Sequence, residues 1–203
     1  MKWVILSDLH MNFKNCNTLT ARDRLIEALI KEKTNGQISF VLITGDCLHQ
    51  SNGDAKEISS YISQIAEACG IDVSKVILCP GNHDIDRSNK IRNAAIKMYR
   101  TDGKLPKLDI CLRGYGQFKE LYSLLYRDVY VPFSSKVIDD FRIISVDSCL
   151  LSMDDRDYGN LVVTFTGLAE LSRKIKRDES KTNIVIMHHG VEWLNAEDGR
   201  RFQ

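Results

Sequence analysis

A chain of 203 residues has the size of one ordinary domain, and we expect a single folded unit over residues 1–203. Hydrophobic residues at 43% and charged residues at 27% exclude a disordered or fibrous chain. Because 28 lysines and arginines are balanced by 27 aspartates and glutamates, the charge does not indicate nucleic acid or an anionic membrane as a partner.

Short apolar runs rich in valine and isoleucine recur along the chain, and each ends in a polar cluster. Such runs are typical of buried β-strands. The first run is too short for a signal peptide, and we expect no membrane-spanning segment. The predicted strands are Lys2 to Leu6, Ser39 to Ile43, Lys75 to Cys79, Phe141 to Val146 and Asn183 to Met187.

Amphipathic helices separate the first three predicted strands. Apolar residues recur on one helical face in Thr20 to Lys33 and again in Lys56 to Cys69. The order strand, helix, strand, helix, strand predicts an α/β fold whose first sheet is largely parallel. A strand near Val137 predicts a second sheet, and Thr166 to Lys176 has the pattern of a late helix.

The strand rhythm stops between residues 88 and 130. The helical periodicity of this segment predicts a helical insertion or a lid over the site. Its aromatic residues have the spacing of one helical face, which favours core packing over substrate binding. These residues are Tyr115, Phe118, Tyr122 and Tyr126.

The six cysteines include no CxxC pair. Several lie inside apolar runs, which favours reduced, buried thiols over a disulfide framework or a zinc ribbon. Reduced thiols without a signal peptide predict a cytoplasmic protein. The cysteines are Cys16, Cys47, Cys69, Cys79, Cys111 and Cys149.

Polar residues follow the predicted strands immediately. In an open α/β sheet, ligands bind at the carboxyl ends of the strands, so residues distant in sequence converge there. Oxygen and imidazole ligands without thiolates suit two divalent ions of the manganese, iron, zinc or nickel type. The segments concerned are Ser7 to His10, Thr44 to Asp46, Gly81 to Asp84, and His188 with His189.

Two spacings within these segments have a physical reason. Asp8 and His10 are two residues apart, so on an extended chain both project to the same side and can contact one ion. Gly45 and Gly81 precede candidate ligands at strand exits. A residue without Cβ there permits unusual dihedral angles and a close approach of the backbone.

The motifs DLH, GDCLH, GNHD and VIMHH occur in this order along the chain. In this order they resemble the first four motifs of the calcineurin-like metallophosphoesterase superfamily. The resemblance implies a four-layer αββα sandwich, incomplete at its C-terminus, with two metal ions above the strand ends. It also implies the metal ligands, with Asp46 bridging both ions: Asp8 and His10 for the first ion, Asn82 and His188 for the second.

The same resemblance implies hydrolysis of a phosphodiester or phosphomonoester. A bridging water, acidified by both ions, would attack phosphorus as hydroxide. His83 would stabilise the developing charge or protonate the leaving oxygen, and Asp84 would orient His83 through its other ring nitrogen.

Two further histidines are candidate substrate contacts. Adjacent residues on an extended chain point to opposite sides, so only one of His188 and His189 can bind the ion. The family pattern places the ligand first, which favours His188 and leaves His189 as a substrate candidate. His49, three residues after Asp46, is either a substrate contact or an ordinary loop histidine.

The chain departs from the family beyond the fourth motif. Family members carry a further Gly-His-x-His motif, whereas Gly190 to Gln203 contains no histidine. We expect the chain to be the N-terminal piece of a longer protein with further C-terminal domains, the alternative being a natural short pseudoenzyme. In this form we expect weaker metal retention and reduced hydrolysis than in a full-length protein.

The motifs also favour one branch of the superfamily. GDCLHQ and GNHD differ from the Ser/Thr phosphatase motifs, and His10 separates the chain from purple acid phosphatases. The better resemblance is to bacterial phosphodiesterases acting on small diesters. The alternatives are a DNA or RNA nuclease of the same superfamily, which the balanced charge does not favour, and a catalytically weak regulatory or sensing module.

Overall fold

A computed structural model of the chain describes residues 1–11, 16–163, 166–175 and 180–201. Within these residues, six strands form two three-stranded sheets. The first sheet contains β1 (Lys2–Leu6), β2 (Ile38–Ile43) and β3 (Val76–Leu78). The second sheet contains β4 (Phe133–Ile138), β5 (Phe141–Val146) and β6 (Thr182–Ile186).

The strand pairing confirms the predicted topology. The first sheet has the order β1-β2-β3 and is parallel throughout. In the second sheet, β4 pairs antiparallel with β5, and β5 pairs parallel with β6. The predicted strand at Lys75 begins one residue later, because Val73–Lys75 forms a 3₁₀ turn capped by the side chain of Asp72.

The helices described are α1 (Cys16–Thr34), α2 (Ala55–Cys69), α3 (Lys90–Asp102), α4 (Leu108–Cys111), α5 (Gly116–Tyr126), α6 (Thr166–Lys174) and α7 (Ala196–Arg201). Helix α2 begins where Asp54 accepts a hydrogen bond from the Lys56 amide at 2.8 Å, and it ends at Gly70 in the left-handed conformation. Both predicted early helices are confirmed. The late helix is confirmed up to Lys174, and Lys176 lies outside the described residues.

Strand β2 explains how the layers are held together, because all six of its residues are buried. Phe40 and Leu42 pack towards the second sheet, in a cluster that includes Ile143 and Ile186. Val41 and Ile43 instead belong to the larger core beneath the helices. A strand covered on both faces is a continuous apolar run, and this explains the ISFVLI sequence. The αββα sandwich expected from the motifs is consistent with these layers.

The segment 88–130 is helical, as predicted, and its last helix belongs to the main core. Helix α5 packs against α2 and buries Phe118, Leu121 and Leu125. Tyr115 and Phe118 are fully buried, while Tyr122 and Tyr126 pack against the same core. The prediction that this aromatic stripe is core is therefore confirmed, and a lid role for the segment stays a prediction. None of the described helices combines the length and apolar character that a membrane crossing requires.

A buried carboxyl group joins the chain segments on either side of α5 to the end of β5. Asp147 is fully buried and accepts hydrogen bonds from the Tyr130 hydroxyl at 2.7 Å, the Cys149 amide at 2.8 Å and the Tyr115 hydroxyl at 3.1 Å. Burial raises the pKa of Asp147 to about 6, from an ordinary value of 3.8. The hydrogen bonds act in the opposite direction, because they stabilise the ionised form.

This raised pKa predicts a pH-dependent stability difference between the wild type and Asp147→Asn. Between about pH 4 and pH 6 the folded chain keeps the Asp147 proton and the unfolded chain releases it, so rising pH destabilises the wild type. Asparagine does not titrate. From pH 4 to pH 6, the free energy of unfolding of the variant should therefore rise by on the order of 3 kcal/mol relative to that of the wild type. Urea denaturation at a series of pH values measures the difference, with the exposed Asp109→Asn as control. A constant difference from pH 4 to pH 7 would contradict the prediction.

Candidate metal centre

The ends of the three parallel strands bring the predicted site segments together. The Asp8 amide donates to the Gly45 carbonyl at 3.1 Å, and the His10 amide donates to the Asp46 carbonyl at 2.9 Å. These bonds fasten the loop after β1 to the loop after β2. The prediction that the segments meet at one edge of the sheet agrees with this geometry.

The backbone at the candidate ligands after β1 and β2 is not extended. An extended chain was the predicted reason for the convergence of Asp8 and His10. Asp8, His10 and Asp46 have φ values of 57°, 41° and 55°, in the left-handed region. Aspartate and histidine enter this region more readily than most residues. The extended geometry was therefore wrong, although the two side chains do converge.

Asp8, His10 and Asp46 form the first group of candidate ligands. One ligand atom from each lies within 4.8 Å of the others. His10 Nε2 is 4.0 Å from Asp8 Oδ1 and 3.8 Å from Asp46 Oδ2, and His10 Nδ1 is 3.2 Å from the Leu48 carbonyl oxygen. Since a carbonyl only accepts, Nδ1 carries a proton, and Nε2 is the ring nitrogen that faces the two carboxylates.

Asn82 and His188 form the second group. The His188 Nδ1–H donates to the Thr44 carbonyl at 2.8 Å, so Nε2 is the ring nitrogen directed at the other candidate ligands. This Nε2 is 3.2 Å from Asn82 Oδ1 and 3.7 Å from Asp46 Oδ1. Two ligand atoms bound about 2.1 Å from one ion, at a right angle, would lie about 3 Å apart. The 3.2 Å separation of His188 Nε2 and Asn82 Oδ1 therefore matches two ligands of one cation, and Asp46 lies beside both groups.

Two glycines permit this close packing. A Cβ on Gly81 would lie 2.0 Å from Asp46 Oδ1 and 2.3 Å from the Asp46 amide nitrogen. A Cβ on Gly45, which has φ +104°, would lie 2.7 Å from His188 Nδ1 and from the Gly81 backbone. Close backbone approach was therefore predicted correctly for both glycines, and the unusual dihedral angle holds for Gly45.

The structure separates the two adjacent histidines. His188 faces Asp46 and Asn82, whereas His189 is buried with Nδ1 3.0 Å from the Ser148 hydroxyl. The Ser148 hydroxyl also accepts from the His189 amide at 3.1 Å. Burial lowers the pKa of His189 to about 3, so this ring is neutral. The geometry thus brings His188 to the candidate ligands and does not bring His189 there.

The expected contact between Asp84 and His83 is wrong. Asp84 is fully buried and accepts from the Leu48 amide at 2.6 Å and from the Gly81 amide at 2.8 Å. His83 Nδ1 is buried and has no hydrogen-bond partner among the described residues. Burial raises the pKa of Asp84 to about 7. Asp84 therefore ties the loop containing Asp46 to the loop containing Asn82, and does not orient His83.

His49 lies beside His83. The two rings are stacked at 5.0 Å, and the His10 ring lies edge-on at 5.2 Å from His49 and 5.1 Å from His83. The sequence around His49 fits a substrate contact and a loop residue equally, and it does not predict this three-histidine group. Burial lowers the pKa of His83, which favours its neutral form in this arrangement.

A family model and a curated relative resemble this chain over nearly its whole length. A family model described as calcineurin-like phosphoesterase matches residues 1–202. The chain is also 27% identical over 215 aligned residues to YydB of Bacillus subtilis (strain 168), an uncharacterized metallophosphoesterase-like protein. That alignment covers 98% of this chain and 44% of the relative, so the chain spans less than half of the relative's length.

Proposed function

Because the chain belongs to the calcineurin-like phosphoesterase family, we propose that it hydrolyses a phosphodiester, or a phosphomonoester, with two divalent metal ions. The observation that carries this proposal is the pair of ligand groups on either side of Asp46. Asp8, His10 and Asp46 would hold one ion, and Asp46, Asn82 and His188 would hold the other. Manganese, iron, zinc and nickel suit these oxygen and nitrogen ligands.

When bound, the two ions would supply an activated water for attack on phosphorus and neutralise the charge on the phosphoryl oxygens. The protein's part is to hold the ligands in position before substrate arrives. The carbonyls of Leu48 and Thr44 fix the ring orientation of His10 and His188, and such outer partners support metal affinity. Asp84 holds the two ligand loops at a fixed separation.

We assign the acid role to His83. Its ring is next to His10 and partly exposed, which is where a substrate phosphate beside the ions would lie. An anionic substrate against this ring would raise its pKa, since a nearby negative charge favours the imidazolium. His83 can then donate its proton to the leaving oxygen. His49, stacked on His83, is the proposed substrate contact, and we retain no such role for the buried His189.

The proposal includes a cytoplasmic location and a small phosphoester as substrate. Cys47, Cys69, Cys79, Cys111 and Cys149 are free and buried, which supports a reducing compartment. The side chain of Cys16 lies outside the described part.

Hydrolysis of bis(p-nitrophenyl) phosphate and p-nitrophenyl phosphate with Mn²⁺ tests the proposal. For a diester with an alcohol leaving group, we expect His83→Gln to lower kcat about a hundredfold, since general acid catalysis typically contributes at least this much. The p-nitrophenyl esters should show a smaller loss, because p-nitrophenolate leaves without being protonated. Manganese content should stay at the wild-type level, because His83 is not in either proposed manganese ligand group. An unchanged kcat for the alkyl diester in His83→Gln would contradict the acid role. No hydrolysis of either compound by the wild type with any of the four metals would contradict the enzyme proposal.

A further inference from the structure

His10, His49 and His83 form a compact imidazole group at the mouth of the site. One ring nitrogen from each lies within 4.8 Å of the others. The three rings come from three loops, and their centroids are 5.0 to 5.2 Å apart. No carboxylate belongs to this particular group. Only His10 is shared with the group that contains Asp8 and Asp46.

The loop that carries His49 is built to hold it against His83. Gln50 and Ser51 both have left-handed φ values, of 56° and 49°. The Ser51 amide donates to the His83 carbonyl at 2.6 Å, and the Asn52 amide donates to the His49 carbonyl at 3.2 Å. Consecutive left-handed residues are unfavourable unless surrounding contacts impose them. This backbone therefore fixes the approach of His49 to His83.

A second observation points to a ligand at this group. His83 Nδ1 is buried and, within the part of the chain that the structure describes, has no hydrogen-bond partner. A buried polar atom of this kind requires an explanation, and an ion or water at the atom provides one. Three imidazole ligands suit zinc, cobalt or copper, whereas manganese and magnesium prefer carboxylate and water ligands.

We propose that His10, His49 and His83 form a separate site for a zinc-class ion. Tetrahedral zinc with bonds of about 2.0 to 2.1 Å places its nitrogen ligands about 3.4 Å apart. Separations of up to 4.8 Å must therefore shorten, and rotation of the three side chains provides this movement. His10 can serve only one ion at a time, so zinc bound here competes with an ion held by Asp8 and Asp46.

An ion bound by these three histidines would affect catalysis, but its binding does not require catalysis. An ion at this site would occupy His83 and His49, the proposed acid and substrate contact. Zinc in excess is then inhibitory, whereas manganese is not. Metal binding is measured without substrate, so its result is independent of whether the chain hydrolyses phosphoesters.

Cobalt absorption provides that test, because Co²⁺ in a tetrahedral site rich in imidazole has much stronger visible bands than six-coordinate Co²⁺ in a site rich in oxygen. The background is the double variant Asp8→Ala, His188→Ala, which impairs both proposed manganese groups and leaves the three histidines in place. We expect this background to develop the strong bands on addition of Co²⁺ and to lose them on addition of Zn²⁺. Adding His49→Ala should abolish the bands and weaken Zn²⁺ binding more than about a hundredfold, since even loss of an outer partner costs 10- to 100-fold.

His49→Gln and His83→Gln serve as second variants that preserve side-chain volume, and circular dichroism checks the fold of each. Strong bands that persist in His49→Ala and His49→Gln would overturn the proposal. Bands that appear in the wild type but vanish in the double variant would also overturn it, because the cobalt would then belong to the Asp8 or His188 group.

Discussion

Replacing Asp46 with asparagine should remove most of the metal and lower hydrolysis of bis(p-nitrophenyl) phosphate roughly a thousandfold or more. Asp46 Oδ2 faces His10 and Oδ1 faces His188, so this carboxylate is the one group shared by both proposed ions. Asparagine keeps the shape but removes the negative charge that holds the ions. Metal ions supply several kcal/mol of transition-state stabilisation, and about 4 kcal/mol corresponds to a thousandfold in rate.

The fold should tolerate this change. Asparagine accepts the left-handed conformation of residue 46, where φ is 55°, and its oxygen can still accept the His83 amide that now donates to Asp46 Oδ1 at 2.9 Å. Asp139→Asn is the matched control, because Asp139 is also left-handed, with φ 52°, but is exposed and lies in the turn between β4 and β5. Metal content by mass spectrometry and kcat/KM are the two readouts. If Asp46→Asn kept the metal content and the kcat/KM of the wild type, Asp46 would not be part of the metal centre.

Local patterns in the sequence predicted the layers of the fold well. The apolar run of β2 has no polar residue on either face except Ser39, and this predicts a strand covered on both sides. The isoleucines of α2 recur at helical spacing, and Ile58, Ile62 and Ile65 are buried as that spacing requires. In both elements the information lies within a few neighbouring residues, where periodicity can be read.

The site was predicted less completely, because its details depend on contacts between distant residues. The Asp8 and His10 amides donate hydrogen bonds to the Gly45 and Asp46 carbonyls, and both donors are in left-handed conformations. No propensity of Asp8 and His10 alone predicts these bonds. Asp84 bonds to the Leu48 amide 36 positions earlier, so its role could not be inferred from its neighbour His83. The His49 loop carried one local signal, because Gly53 indicates a tight turn shortly after His49. In the structure, two left-handed residues precede this glycine in the same loop.

Gly81→Ala should disrupt the metal centre without changing any ligand. The added Cβ would lie 2.3 Å from the Asp46 amide nitrogen and 2.0 Å from Asp46 Oδ1, so backbone as well as side chain must move apart. Overpacking of this kind typically costs 1 to 3 kcal/mol, and we expect a loss of about 3 kcal/mol in the free energy of unfolding. For a chain of this length that corresponds to a fall in Tm of roughly 6 to 12 °C.

The loss of metal should exceed what this destabilisation explains, because the two loops that move apart carry Asp46 and Asn82, one ligand on each side of the proposed second ion.

Gly116→Ala is the control: a Cβ there meets no atom within 4 Å, and the residue begins α5, where alanine is the better helix former. Melting curves with and without Mn²⁺ separate the two effects. The metal-induced rise in Tm should disappear in Gly81→Ala and persist in Gly116→Ala, because only a chain with an intact site is stabilised by mass action. A full metal-induced rise in Gly81→Ala would show that Asp46 and Asn82 need not be held this closely for metal to bind.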